Sequence, residues 1–123
     1  IRVQGKLIVV SYRLPYRFSI VNNLLKVTPS AGGLATALLS YFRSKQTAES
    51  PFQSFHWLGV SDLSKKSFDA ATGDQALQSD GVNLHPLFLP NDLKDNFYNG
   101  FCNSVLWPLF HYFPSYVVYH QAY

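Results

Sequence analysis

Arg13 and the pair Gly32-Gly33 are the residues of this sequence whose types and placement best suit holding a phosphate. A guanidinium grips phosphate through a planar two-pronged fork. Glycines let the backbone come close to a bound group. The run that follows them reads as a helix, with Leu34, Ala37, Leu38, Tyr41 and Phe42 at the spacing of one buried face. The first N–H groups of such a helix lack internal partners and carry the positive end of its dipole, a ready place for an anion. Ser30 is the expected N-cap. Tyr98 and Trp107 add rings that offer an apolar face to a sugar and a polar edge to its hydroxyls. Together these residues point to a phosphorylated or nucleotide-linked sugar. Each also has a plainer reading: a solvated loop arginine, a Gly-Gly turn that only redirects the chain, and a core tryptophan wedged before Pro108.

Other chemistries have little support. His56, His85, His111 and His120 show no metal-ligand spacing, and Cys102 has no obvious base beside it, so all five read as structural. Neither a G-x-G-x-x-G after the first strand nor a Walker loop is present, which counts against a nicotinamide enzyme and a P-loop ATPase. No catalytic set, metal site or cofactor is expected in this stretch.

The elements that must position these residues follow from local pattern. Lys6 to Ser11 is a β-branched apolar run, expected to be a parallel-sheet strand buried on both faces. Pro15 ends it, leaving Arg13 in the loop at its carboxyl end, where open α/β sheets bind ligands. Arg17–Ile20 and Leu24–Thr28 flank Asn22-Asn23 and read as a β-hairpin inserted before the helix. Arg43 to Ser54 reads as a surface connection, and Phe55 to Val60 as a second strand that exits at Gly59. Ser61 to Gly81 reads as a mobile surface loop with one weak helical turn. Val82 to Leu89 is a third strand, and Pro86 argues for an edge or irregular position. Asn91 should cap a helix with Leu93, Phe97, Phe101 and Val105 on one face, ended or kinked near Leu106 by Pro108. Leu109–Phe113 reads as one more turn, and Tyr116–Tyr119 stays open between strand and loop.

With 47% apolar and 14% charged residues, the 123-residue chain is globular rather than disordered, and long enough for one domain or part of a larger one. The net charge of +3 is scattered without a basic run, so a nucleic-acid module is not expected. One cysteine suits a reducing compartment. No apolar stretch reaches the about 20 residues of a membrane span, and no leader is visible. The chain opens at Ile1 and has no methionine, so a piece of a longer protein is expected. The order of elements fits the opening of a Rossmann-like α/β domain.

Three blocks carry a specific likeness: Lys6 to Pro15 (KLIVVSYRLP), Ser30 to Leu34 (SAGGL) and Phe97 to Tyr112 (FYNGFCNSVLWPLFHY). They resemble, in order, the amino-terminal part of the trehalose-6-phosphate synthase family. The resemblance implies an α/β fold, the Rossmann-like amino-terminal part of a two-domain GT-B glycosyltransferase. Residues 1–123 would then be a partial acceptor-side domain, without the carboxyl-terminal nucleotide-sugar domain. It also implies retaining transfer of glucose from UDP-glucose to glucose-6-phosphate, releasing UDP, by a cytoplasmic protein. Arg13 then matches the acceptor-phosphate arginine of the family's Ser-Asn-Arg-Leu-Pro motif, and Gly32 and Gly33 the pair that approaches the donor. Tyr98 and Trp107 match residues of the acceptor pocket. Trp57 resembles the first tryptophan of a Trp-x-Gly-Trp segment. Tyr12 stands where the family has asparagine, and Val60 where it often has a second tryptophan. The partners implied are the two sugar substrates, with a homo-oligomer left open. Retaining transfer with a departing UDP needs charge stabilisation from both walls of the cleft, so this stretch alone should be inactive. A non-catalytic, sugar-phosphate-binding member of the family is the alternative, with Tyr12 as its only internal hint. A self-contained aromatic-rich binding domain is a further one.

Overall fold

A computed structural model describes residues 5–73 and 76–123. The chain divides between Phe88 and Leu89 into two compact units. In the first, β1 (Gly5–Arg13) leads into the hairpin of β2 (Tyr16–Val21) and β3 (Leu24–Pro29). Helix α1 (Gly33–Lys45), β4 (Phe52–Val60), α2 (Lys65–Thr72), β5 (Leu77–Ser79) and β6 (Val82–Leu87) follow. The main sheet has the order β1-β4-β6-β5, with β1, β4 and β6 parallel and β5 antiparallel to β6.

One face of this sheet carries the core. Leu7 and Val9 of β1, Phe55 and Trp57 of β4, and Val82 and Leu84 of β6 alternate toward it, as the two-residue period of a strand requires. Leu39 and Phe42 of α1, Phe68 of α2 and Phe18 of the hairpin complete it. The Phe42 ring lies 5.4 Å from Phe55 and 5.6 Å from Trp57. Such aromatic pairs add about 0.5–1.5 kcal/mol each beyond their burial. The hairpin turns on Asn22 and Asn23, both at positive φ (52° and 61°), the geometry of a type I′ turn that matches strand twist.

Several expectations change. β1 is not buried on both faces, since Ile8 is 56% and Val10 71% exposed. The apolar side chains of the unit's helices and hairpin gather on the opposite, Leu7–Val9 face. The polar 61–81 stretch is no plain loop. Ser64 caps α2 by accepting the Ser67 N–H at 3.2 Å, and Phe68 is buried from it. Asp80 and Gly81, both at positive φ, turn β5 back onto β6. β6 is accordingly not an edge strand. Pro86 is tolerated because β5 pairs only with residues 82–84, leaving that flank of Pro86 without a ladder partner to lose. The 43–54 connection is shorter than expected, with α1 reaching Lys45 and β4 starting at Phe52.

The second unit is helical from Asn91 to Phe110. An α-helical turn, α3 (Asn91–Lys94), opens into a π-helical segment (Asp95–Leu106) and closes as α4 (Trp107–Phe110). Asn91 is the first helical residue rather than the cap, which falls on Pro90. Because a π-helix bonds i to i−5, the four-residue stripe does not stay on one face. Val105 is buried while Leu93 and Phe97 are exposed. Pro108 does not end the helix; the pitch changes from π to α at Leu106/Trp107, immediately before it. Tyr112 adopts φ 62°, and a short 3-10 turn (Pro114–Tyr116) follows, so Tyr116–Tyr119 is not a strand. Among the described residues no helix is long and apolar enough to cross a membrane.

Candidate functional site

Arg13 closes β1, and the strand bulges just before it. Val10 pairs with Leu58 and Arg13 with Val60, so three steps on β1 face two on β4. A bulge of this kind adds a residue and re-aims the side chains beside it. The peptide that follows is held from several sides. Ser11 Oγ donates to the Arg13 carbonyl at 2.6 Å and accepts the indole N–H of Trp57 at 2.8 Å. A Cβ at Gly59 would lie 2.8 Å from the Leu14 nitrogen and 3.0 Å from the Arg13 carbonyl carbon, so the bare glycine lets the two strands close there. The Pro15 carbonyl accepts the Ser30 N–H at 2.8 Å, which joins this loop to the chain entering α1. Arg13, Arg17, Ser30, Val60 and Asp62 line a small polar depression of about 70 Å³. Two guanidinium groups and a hydroxyl beside it suit an anion, with Asp62 setting a directional limit.

Ser30 is not the N-cap of α1. Its N–H goes to Pro15, and Gly32 holds the cap position without a side-chain hydrogen bond. Gly32 is extended (φ 165°), a conformation open to any residue, and a Cβ at Gly32 or Gly33 would meet nothing within 4 Å. Among the described residues, neither backbone strain nor packing requires glycine at either position.

Trp57 lies in the core. It is 1% exposed, edge-on to Phe42, with its only donor spent on Ser11. The expected substrate contact gives way to a buried anchor, because an indole this deep leaves no face for a ligand.

Tyr98 and Trp107 belong to the second unit. Tyr98 is half-buried within the π-helical segment. Trp107 is 54% exposed and stacks on His111, centroids 4.1 Å apart and planes within 15°. It lines a largely apolar cavity of about 500 Å³ with Pro108, Phe113, Tyr116 and Val118. Tyr98 does not line that cavity.

Among the described residues no group of three or more His, Cys, Asp or Glu side chains could hold a metal. His56 Nδ1 and His85 Nε2 do meet at 2.9 Å across β4 and β6, with Ser54 Oγ 2.9 Å from His56 Nε2. Burial first, then His85 and Lys6, hold His56 below the ordinary histidine range. The sequence reading missed this pair and the Ser11–Trp57 contact.

Residues 5–122 match the model of glycosyltransferase family 20. The UDP-forming α,α-trehalose-phosphate synthase of Pichia angusta is 37% identical over 92% of this chain, which spans 23% of that protein. A UDP-forming trehalose-phosphate synthase structure from Burkholderia vietnamiensis aligns with 97% of this chain and 21% of its own, at 28% identity and TM-score 0.58. An E. coli structure with UDP-2-fluoro glucose bound aligns with 96% of this chain and 21% of its own, at 26% identity and TM-score 0.57. The chain thus spans about a fifth of the length of these relatives. It belongs to glycosyltransferase family 20.

Proposed function

We propose that this chain is the acceptor-side, Rossmann-like amino-terminal part of a two-domain GT-B glycosyltransferase, with β2–β3 as an inserted hairpin. The whole protein moves glucose from UDP-glucose to glucose-6-phosphate, giving trehalose-6-phosphate and UDP. The observation that carries this reading is Arg13, exposed at the carboxyl end of a parallel strand and sharing a polar depression with Ser30, two residues before Gly32. Ligands of open α/β sheets bind at that end.

In this reading Arg13 clamps the acceptor phosphate through its fork. Gly32 and Gly33 leave room for the donor at the open start of α1, whose free N–H groups face it. Within the second unit, taken by itself, Trp107 presents an exposed ring of the kind on which a sugar stacks. No residue of this stretch takes a covalent part. The reacting charge must also be met by the four-fifths of the protein outside it, so residues 1–123 alone give no turnover. The lone Cys102 suits a reducing compartment, and we assign the protein to the cytoplasm.

The test is Arg13→Ala in the full-length enzyme. Losing a hydrogen bond to a charged phosphate costs about 1.5–3 kcal/mol, so KM for glucose-6-phosphate should rise about ten- to a hundredfold while the donor KM holds. An unchanged acceptor response removes Arg13 from the site. Binding of glucose-6-phosphate by the whole protein without release of UDP would instead favour a non-catalytic member.

A further inference from the structure

We infer that Trp57 is a positioning residue that acts on Arg13 through the Ser11 hydroxyl; this rests on the acceptor-phosphate role proposed for Arg13. The direction of the chain is fixed by its chemistry. An indole nitrogen can only donate, and a hydroxyl has one proton. Trp57 Nε1 gives its hydrogen to Ser11 Oγ at 2.8 Å, so the Ser11 proton is free for the Arg13 carbonyl, which it reaches at 2.6 Å. Hydrogen bonds in series polarise and strengthen one another. The near end of this series is rigid, because Trp57 is enclosed in the core against Phe42.

The far end is the peptide on the carboxyl side of the Arg13 Cα, from which the guanidinium side chain springs. It follows a bulge, where a strand is free to twist, and it carries a long side chain exposed to solvent. Gly59 bounds the same peptide, with room for no Cβ. Core tryptophan, serine and glycine together hold one peptide plane. A misplacement of about 1 Å at a positioning group can cost a hundredfold in rate.

A simpler account is that a buried indole N–H needs some acceptor. That account predicts a loss of stability on removing the contact and no selective effect on the acceptor.

The experiment uses the full-length enzyme and the matched pair Ser11→Thr and Ser11→Val, which share a shape and differ in the hydroxyl. Trp57→Phe keeps most of the ring and removes the donor. Ser11→Val and Trp57→Phe should raise KM for glucose-6-phosphate about tenfold, with the donor KM unchanged, and Ser11→Thr should restore it. In an Arg13→Ala background, Ser11→Val should add nothing further to the acceptor KM, because the group it positions is gone. Equal acceptor KM values for the Thr and Val variants overturn the inference, as does full additivity with Arg13→Ala. An Arg13→Ala single variant without an acceptor effect instead sinks the underlying assignment of Arg13. The Thr and Val pair remains decisive should Trp57→Phe fail to fold.

Discussion

Tyr16, at the start of β2, gives its phenolic proton to Asp80 in the turn between β5 and β6, 64 residues further along. The same carboxylate oxygen accepts from Arg43 of α1 at 3.1 Å, and the Asp80 carbonyl accepts from Gln46 at 2.8 Å. The hairpin, the helix that starts at Gly33 and the far edge of the sheet therefore meet at one residue. Tyr16 also borders the Arg13 depression, which ties this junction to the candidate site.

Asp80 should make the fold sensitive to acid. The hydrogen bond from Tyr16, then that from Arg43, hold its carboxyl below the usual carboxylate range. A carboxyl with a depressed folded pKa binds more protons when unfolded, so its contribution is full above the unfolded value and is lost as pH falls through the folded one. Asp80→Asn should lower Tm at pH 7 and flatten the decline of Tm below about pH 4. An identical acid limb in both proteins would contradict the junction.

His56 sets a second pH window. Burial, His85 and Lys6 favour the neutral His56 ring in the folded chain. The unfolded state then binds more protons below the ordinary histidine pKa of about 6.5, so stability rises with pH through that window and is complete above it. Replacing His85 by Gln removes one of those causes, and the slope of Tm between about pH 5 and 7 should shrink. A steeper slope in the variant would be the contrary result.

Gly59→Ala tests the closeness of β4 to the Arg13 loop. The new methyl would press on backbone atoms at 2.8 and 3.0 Å, which cannot swing aside like a side-chain tip. Overpacking of this kind costs about 1–3 kcal/mol. Tm should fall by several degrees and the acceptor KM should rise with it, measured by calorimetry and steady-state kinetics.

Gly32→Ala and Gly33→Ala should separate stability from activity. Among the described residues nothing lies within 4 Å of either added Cβ, Gly32 is extended and Gly33 is the first helical residue, so Tm should change little in either variant. If donor diphosphate approaches here, KM for UDP-glucose should nonetheless rise. Wild-type donor kinetics in both variants would leave the glycine pair without a role in binding.

Local sequence determined the elements with strong signals of their own. Asn22-Asn23 between alternating strands could form little but a tight hairpin turn, because both residues accept positive φ. The run from Lys6 to Ser11 likewise dictated a strand, although Arg13 is its last residue, paired with Val60, and not part of the loop expected after it. The apolar spacing from Leu34 to Phe42 dictated a helix but not its buried face: Leu39 and Phe42 reach the core, while Leu34 and Tyr41 of the expected stripe are exposed. The weak elements were not legible: α2 is short and polar, and is secured by its Ser64 cap, the burial of Phe68 and the Lys65–Asp69 pair at 2.6 Å.

What tertiary structure alone decided was where each side chain's polar group is spent. Nothing local in Phe55 to Val60 says that Trp57 will sit in the core with its N–H on Ser11, 46 residues away. That follows from parallel pairing of β1 with β4, a non-local register set by which faces bury together. The same pairing turned Ser11, a residue with no evident chemistry, into the link between the core and Arg13. Sequence supplied the groups able to hold a phosphate; the register of two strands determined how firmly one of them is aimed.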